Sequence, residues 1–426
     1  MYVSTNATLN MTGGKVTGNH AVKNGGGLYH MNSKGNYTGG IIEGNTTDAN
    51  AAAFLGSGAN TVINVKGYDF TGLQAVNGAV ATIQSKAVFN AEDCKFYDNQ
   101  ATGGAGAVYI STNSFASFKN CKFYNNNATK QGGAILGAQN SNVTITDCIF
   151  TENTAGTEGG AILCRGSFYM TDCQVTNNTA GGNGGGIATG KCGIRGSKFQ
   201  DGLVLVNTPV TDNVSGAQGG GLYLSTGCKT TLTDVEISGN QAATEGGAYW
   251  AVDDTTFHNV TVANNTSGGE GYAAWYDYSV FDGHSYFVGV HKISGNIIFK
   301  DNQGGDMYFG QEVAMSIDYE GLGEDTVFGV TLDAGVLTNR LFGEYNYEGG
   351  NQVYTVTYGN RSVTDPEVDD TMVPEQTQPT EQDKEKNADV LLYVGIGLVA
   401  LIVVAVAVVL VKKKKTGKPA EKANQE

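Results

Sequence analysis

Residues 126–136 read Asn-Asn-Ala-Thr-Lys-Gln-Gly-Gly-Ala-Ile-Leu, and this scheme of an asparagine followed by a glycine pair returns along most of the chain. The asparagines that anchor the scheme are Asn19, Asn45, Asn99, Asn126, Asn153, Asn178, Asn213, Asn240, Asn265 and Asn302. Most neighbours in this series are about 26 residues apart, and one interval equals two such units. A fixed period of this length predicts a stacked repeat, in which each unit buries its apolar face only against its neighbours.

The composition of the repeat predicts strands rather than helices. Segments such as Val143–Thr146 and Val260–Val262 alternate β-branched residues with a period of two and end in polar turn residues. The chain holds 62 Gly and only 5 Pro, which suits many tight turns. We therefore predict an all-β parallel solenoid whose coils lie about 4.8 Å apart.

Columns of equivalent residues support this prediction. Asn tolerates the left-handed backbone of a sharp turn, and its amide can bond to the coils above and below. Large apolar residues such as Phe123 stand three positions before the asparagines and are predicted to face inward. The third coil departs from the pattern, with Gly72 in the asparagine column and Asp69 in the apolar column. The predicted structural columns include Asn126, Asn153, Asn178 and Asn240, together with Cys94, Cys121, Cys148 and Cys173 five positions before the asparagines.

The rung at residues 146–163 carries a family resemblance. Its sequence, Thr-Asp-Cys-Ile-Phe-Thr-Glu-Asn-Thr-Ala and then Gly-Gly-Ala-Ile-Leu, resembles the right-handed parallel β-helix repeats of pectin lyase-like surface proteins. It is also similar to the repeats of polymorphic outer-membrane and adhesin-like proteins. The resemblance covers roughly residues 10–305. It implies a right-handed β-helix, whereas an activity has to be argued from a site.

The chain beyond the repeats predicts a membrane anchor. Residues 390–411 carry no charge and are long enough for a transmembrane helix, and four lysines follow directly. The lysines predict a cytoplasmic C-terminus and an extracellular N-terminal region in a single-pass cell-membrane protein. An apolar tail with lysines also resembles sortase sorting signals, but no Leu-Pro-x-Thr-Gly precedes it. The predicted domains are 1–305 for the β-helix, 306–363 for a small β-rich cap, 364–389 for a polar stalk, 390–411 for the helix and 412–426 for a basic tail. No signal peptide is visible at the N-terminus, so we expect a truncated start.

The cysteines leave two alternatives open. Neighbouring thiols in the column come within the Cα range of a disulfide, but stacked side chains point the same way rather than at each other. Buried thiols that fill an inward row are the favoured interpretation. No pairing is assigned to Cys164, Cys192 and Cys228. The cysteine spacing contains no Cys-x-x-Cys or Cys/His pair, so neither a metal nor a cofactor is predicted.

The resemblance to pectin lyase-like proteins raises the alternative of a polysaccharide lyase or hydrolase. Such enzymes need clustered carboxylates or a basic group beside calcium-binding acids. The four arginines, Arg165, Arg195, Arg340 and Arg361, are dispersed. Neither Asp253-Asp254 nor Gly283-His284-Ser285 has such companions, so we predict a protein without catalytic residues.

An aromatic series in the strands after the glycine pairs is the candidate ligand site. Tyr223, Trp250 and Trp275 occupy the positions predicted to point outward, and an exposed aromatic stripe is typical of a binding surface. A register shift of one residue would instead turn these rings into core. The net charge of −15 argues against nucleic acid as a partner. The predicted function is an adhesin-like surface protein that binds a glycan or protein of a host or neighbouring cell; an enzyme and a structural spacer are the alternatives.

Overall fold

The computed structural model describes residues 1–190, 201–309 and four segments between 314 and 357, apart from short gaps at 253, 270, 278, 282–284 and 288–289. Within these described residues the chain is entirely β and contains no helix. The strands wind into a right-handed parallel solenoid, which confirms the predicted all-β solenoid. Each coil has three faces, which we name A, B and C in chain order.

Face A consists of the strands that follow the glycine pairs. They are Tyr2–Val3, Leu28–Met31, Phe54–Ser57, Ala81–Gln84, Val108–Ile110, Ile135–Gly137, Ile162–Cys164, Ile187–Thr189, Leu222–Leu224, Tyr249–Ala251, Tyr272–Tyr276 and Gly305–Phe309. Each strand pairs in parallel with its equivalent in the next coil.

Face B bends once in each coil, so that it holds either one long strand or two short ones. Its strands are Thr8–Thr12, Lys15–Thr17, Lys34–Glu43, Val62–Thr71, Val88–Glu92, Lys95–Tyr97, Phe115–Lys119, Lys122–Tyr124, Asn142–Thr146, Ile149–Thr151, Ser167–Thr171, Gln174–Thr176, Asp201–Val206, Val210–Thr211, Lys229–Ser238, Thr255–Ala263 and Val290–Lys300. Faces A and B belong to one continuous sheet.

Face C is a separate sheet of ten strands, one in each coil. Its strands are His20–Ala21, Thr46–Thr47, Gln74–Ala75, Gln100–Ala101, Asn127–Ala128, Thr154–Ala155, Thr179–Ala180, Val214–Ser215, Gln241–Ala242 and Thr266–Ser267. Their inward residues are small, being Ala, Ser or Thr.

The left-handed backbone explains why Asn, Asp and Gly recur at the corners. Face B bends at residues such as Asp93 (φ 55°) and Asn120 (φ 50°), and it ends at residues such as Asn125 (φ 54°). Only Gly, Asn and Asp adopt this conformation at little cost. The turn side chains also bond from coil to coil, since Asn120 Nδ2 donates to Asp93 Oδ1 over 2.7 Å.

The interior is filled by aligned side chains. The rings of Phe96 and Phe123 stack with centroids 4.4 Å apart, and those of Phe123 and Phe150 with centroids 4.7 Å apart. All three side chains are fully buried. The apolar column that the repeat predicts is therefore the centre of the core.

Two predicted positions in the third coil are wrong by one residue. Phe70, not Asp69, pairs with Ile42 and Phe96 in the apolar column. Leu73, not Gly72, takes the place of the asparagine, and its N–H donates to Asn99 Oδ1 over 3.1 Å. The cause is the corner between faces A and B at residues 58–61, which is one residue longer than the corresponding corner of the next coil.

Four strands follow the last regular coil. Ala314–Leu322 and Val327–Leu332 pair in parallel with the preceding coil, whereas Asn351–Thr357 and Gly343–Glu348 continue the sheet antiparallel. Ser279–Phe281 and Ser285–Phe287 form a separate antiparallel pair. A closing cap over 306–363 and the other domain boundaries stay predictions.

The predicted stalk at 364–389, the predicted transmembrane helix at 390–411 and the basic tail at 412–426 lie outside the described residues. Among the residues that are described, no helix has the length and apolarity to cross a membrane.

Candidate ligand-binding cleft

Alternate side chains of face A point away from the coil interior and form a line that we call the outer row. Its members, in coil order, are Tyr29, Leu55, Thr82, Tyr109, Leu136, Leu163, Ala188, Tyr223, Trp250, Trp275 and Tyr308. Leu136, Leu163 and Ala188 form an apolar cluster of their own outside the main core, and Tyr109 and Tyr223 pack against it.

The register of the last coils places Tyr249 inside and Trp250 in the outer row. The Tyr249 hydroxyl lies 2.8 Å from that of Tyr276 within the core. Although Trp250 lies in the outer row, its ring offers little accessible surface to a ligand, because only 7% of the residue is exposed. Tyr223 and Trp275 are each partly exposed. The three candidate residues thus share one row, but they differ in how much of the ring a ligand could reach.

The rings of the outer row stack on one another along the solenoid axis. Tyr223 and Trp250 are nearly parallel, with an interplanar angle of 8° and centroids 4.7 Å apart. Trp275 stacks in the same way on Tyr308 at 3.9 Å. One face of Tyr223 is therefore covered by Trp250, and its other face is turned toward the coil of Ala188, whose side chain is a methyl group.

Arg165 crosses the outer row. It follows the strand that carries Leu163, and its Nη2 donates to Gln131 Oε1 over 3.1 Å on the other side of the row. The same Nη2 lies 3.7 Å from Glu158 Oε2, which also accepts a hydrogen bond of 2.8 Å from Gln131 Nε2. The side chain of Arg165 therefore spans the outer row at the coils of Leu136 and Leu163, both of which are buried.

A cleft of about 550 Å³ opens around this crossing. Tyr109 and Tyr223 stand at its ends, four coils apart, or about 19 Å at the usual strand spacing. Its lining residues are Tyr109, Thr112, Leu136, Ala138, Gln139, Glu158, Arg165, Thr189, Gly190, Tyr223 and Ser225. We call this site the Tyr109–Tyr223 cleft. Its volume lies within the range of small-molecule sites, about 300–1,000 Å³.

Gly190 allows Arg165 to take its position. A Cβ at Gly190 would lie 2.7 Å from Arg165 Cγ, well inside van der Waals contact. The aliphatic stem of Arg165 therefore passes directly over the glycine backbone, and any larger residue at position 190 would displace it.

The charges of the cleft compensate each other. Among its lining residues, Glu158 is the only acid and Arg165 the only base, and they form an ion pair. Burial, and then the charge of Glu158, raise the pKa of Tyr223 above its ordinary value of 10.0, while a hydrogen bond with Ser225 acts in the opposite direction. Tyr223 is therefore a neutral ring with a hydroxyl group at physiological pH.

The asparagine column lies on the opposite side of the coil and is buried. Asn153 Nδ2 donates to Asn178 Oδ1 over 3.0 Å, and Asn126 Nδ2 donates to Asn153 Oδ1 over 2.9 Å. Asn240 repeats the pattern toward Asn265 at 3.0 Å. These residues bond to backbone and to each other, and none of them lines the cleft.

The cysteine column is equally internal. Cys94, Cys121, Cys148 and Cys173 are buried and carry free thiols. A hydrogen bond with the Cys121 thiol, followed by burial, raises the pKa of Cys94, and one with Cys148 raises the pKa of Cys121 to about 12. Outside the column, Cys228 is disulfide-bonded. Cys192 lies outside the described residues.

Most of the positions considered for catalysis lie outside the described residues. Asp254 is described, whereas Asp253 and Gly283-His284 are not. Of the four arginines, Arg165 alone is described, and it lies in the cleft. Within the described ranges, no group of three or more His, Cys, Asp and Glu side chains is placed to hold a metal ion.

The comparisons with known proteins agree with the geometry of the coils. Residues 83–199 match the family model described as the right handed beta helix region. Together with the parallel coils, this match shows the right-handed β-helix fold and confirms the predicted resemblance. Neither a curated protein nor a solved structure gives a significant match to the chain.

Sequence reasoning missed the polar half of the cleft. In the sequence Arg165 is one of four dispersed arginines, and no motif singles out Glu158 or Gln131. A signal exists, because Gln131 and Glu158 each stand five residues before an outer-row leucine, at the same position of successive repeats. The sequence does not indicate the direction of the Arg165 side chain, which connects Gln131 and Glu158 to the outer row.

Proposed function

We propose that this chain is an adhesin-like surface protein, anchored in the cell membrane, that binds a glycan or protein ligand without catalysis. The observation that carries the proposal is the Tyr109–Tyr223 cleft, in which a partly exposed tyrosine face lies beside a fixed array of guanidinium, carboxylate and amide groups. Aromatic faces and oriented polar groups are the usual components of a ligand site.

Three further features support the proposal. Disulfides such as that of Cys228 persist mainly in oxidising compartments. The carboxylate of Glu158 is held by Arg165 and Gln131, and it is the single acid of the cleft lining, whereas glycoside hydrolysis uses a pair of acids. Membrane attachment rests on the apolar segment at 390–411 and the lysines that follow.

The proposal is tested by applying the purified full chain to arrays of cell-surface glycans and extracellular proteins. We expect selective binding that the double variant Tyr223→Ala/Trp275→Ala loses. The matched control is Tyr97→Ala/Tyr124→Ala, which removes another stacked surface pair, with centroids 4.8 Å apart, on face B. Binding that survives the first variant, or falls equally with the control while both remain folded, would contradict the proposal.

A further inference from the structure

We propose that the Tyr109–Tyr223 cleft binds one uncharged pyranose ring, at the end or at a branch of a glycan, stacked on the open face of Tyr223. This inference rests on the proposed function and narrows it to a ligand class and a binding geometry. It differs from a chain of sugars lying along the outer row, which an exposed aromatic stripe would suit.

The stacking site follows from the arrangement of the rings. Trp250 covers one face of Tyr223 at 4.7 Å, and Tyr223 also packs against the apolar cluster that contains Ala188, so a ligand can stack only on the part of the other face that projects beyond this cluster. Ala188 is fully buried, so the ligand meets the outer part of the Tyr223 ring and not the floor of the row. A pyranose ring presents a flat patch of C–H groups of suitable size, and aromatic rings at protein surfaces offer large apolar contact area with a polar tip.

Arg165 limits the space beside Tyr223 to one sugar ring. Arg165 spans the row two coils before Tyr223, and its stem is seated on Gly190. On the other side, Trp250 already occupies the next position of the stack. The space for a stacked ligand is therefore bounded along the axis in both directions, and the remainder of a glycan must leave toward solvent.

The polar groups match ring hydroxyls. Glu158 offers carboxylate oxygens, and Arg165 offers guanidinium N–H groups beyond the one bound to Gln131. A neighbouring donor and acceptor of this kind can bind two adjacent hydroxyl groups at once. Glu158 and Arg165 neutralise each other, and Asp277 adds a negative charge that acts on Tyr223, so the cleft does not attract a carboxylated sugar and favours an uncharged ring.

The test is saturation-transfer NMR on the purified full chain with five probes. Methyl glucopyranoside, methyl galactopyranoside and methyl mannopyranoside are the neutral rings, glucuronate is the charged ring, and N-acetyl-tyrosinamide stands for an aromatic side chain of a protein partner. We expect transfer to the ring protons of at least one neutral pyranoside and weaker transfer to the other two probes. Tyr223→Ala should weaken that binding about fivefold or more, whereas Tyr223→Phe should retain most of it.

Controls keep the outcomes separate. Tyr97→Ala should bind like the parent chain, and Glu158→Gln, which preserves the side-chain shape, should weaken binding about fivefold because a charged acceptor is stronger than a neutral one. Binding of N-acetyl-tyrosinamide or glucuronate in preference to all neutral rings would overturn the inference and leave the proposed function standing. If none of the neutral rings showed saturation transfer, the inference would also be overturned. The proposed function is decided separately, by the binding experiment on glycan and protein arrays.

Discussion

At the scale of single residues, the buried asparagines show how a polar side chain can stabilise a β-solenoid interior. Asn153 donates to the carbonyls of Phe123 and Thr151 over 3.0 and 3.1 Å, and its Oδ1 accepts from the backbone N–H of Asn126 over 3.1 Å. Each amide thus satisfies corner groups that no strand partner reaches. Leu73 interrupts this series, so the neighbouring coil loses one acceptor.

Replacement of one asparagine should therefore be costly. Asn153→Ala leaves several buried backbone and amide groups unpaired, and we expect a loss of about 2–4 kcal/mol in the free energy of unfolding. Asn127→Ala is the matched control, because Asn127 is exposed on face C, and it should change stability by less than about 0.5 kcal/mol. Urea denaturation of both variants measures the difference, and equal losses would contradict the structural role of the column.

Buried histidines give stability a defined pH dependence. Burial lowers the pKa of His30 from 6.5 to about 4, and burial lowers that of His291 to about 3. At pH values between the ordinary and the lowered pKa, the unfolded chain binds more protons than the folded chain. The stability that arises from burial of the neutral histidines is therefore fully present above pH 6.5 and declines as the pH falls. The neutral form of His30 is held by Tyr37 at 2.6 Å and Ser33 at 3.0 Å.

His30→Gln should reduce this decline. We expect the unfolding free energy of the variant to fall less steeply than that of the parent between pH 6.5 and about 5, since one proton-binding site of the unfolded chain is gone. Urea midpoints at stepped pH values measure both slopes. Asn127→Ala, which changes an exposed side chain that does not titrate, serves as the control and should leave the slope of the parent unchanged.

At the scale of elements, the bend of face B arranges charge along the solenoid. The bend residues are Asp93, Asn120, Asp147, Asp172, Asn207, Asp234 and Asn259 in successive coils. The amides separate most of the carboxylates and donate to them, as Asn207 Nδ2 does to Asp172 Oδ1 over 2.6 Å. Asp147 and Asp172 are the exception, because two acids occupy adjacent coils.

Asp147→Asn should therefore stabilise the protein. Removal of one like charge next to Asp172 is expected to raise the unfolding free energy by roughly 0.2–1 kcal/mol, and added salt should shrink the gain by screening. Asp93→Asn is the opposite control, since Asp93 already accepts from Asn120 and faces Lys66 at 3.5 Å. Thermal melting at low and high salt would contradict the argument if both variants changed stability alike.

The elements also show how far the sequence predicts this fold. The period of the asparagines and the Phe column were sufficient to predict a parallel β-solenoid and its interior, because stacked coils require equivalent residues at equivalent positions. The third coil was misaligned by one residue, since the corner at 58–61 lengthens without any change in composition that marks it. Corner length is set by backbone geometry, which residue types indicate only weakly.

At the scale of the whole molecule, the site was only partly predictable. The outer position of Tyr223, Trp250 and Trp275 follows from the period-two alternation of face A. Their mutual stacking does not, because it depends on side-chain rotation in adjacent coils. The sequence also could not bring Arg165 to Gln131, 34 residues away, since only coil-to-coil stacking makes these residues neighbours.

Orientation across the membrane is the prediction for the whole chain. Protease added to intact cells should release a soluble fragment by cutting within 364–388, because this polar, proline-containing segment is predicted to stand outside the membrane. Immunoblotting with antibodies against the β-helix and against the tail detects the two products. Protection of 364–388 together with digestion after Lys415 would reverse the orientation.

The row of four thiols has a consequence for biosynthesis. The folded coils bury four free thiols, those of Cys94, Cys121, Cys148 and Cys173. In the nascent chain these thiols are exposed together with Cys228 and its disulfide partner. An oxidase that met the unfolded chain could join any of them, and a wrong bond would prevent the coils from stacking. On the proposed route to the cell surface, these coils would have to wind before oxidation, so that fast folding would protect the chain from wrong disulfides among its own cysteines.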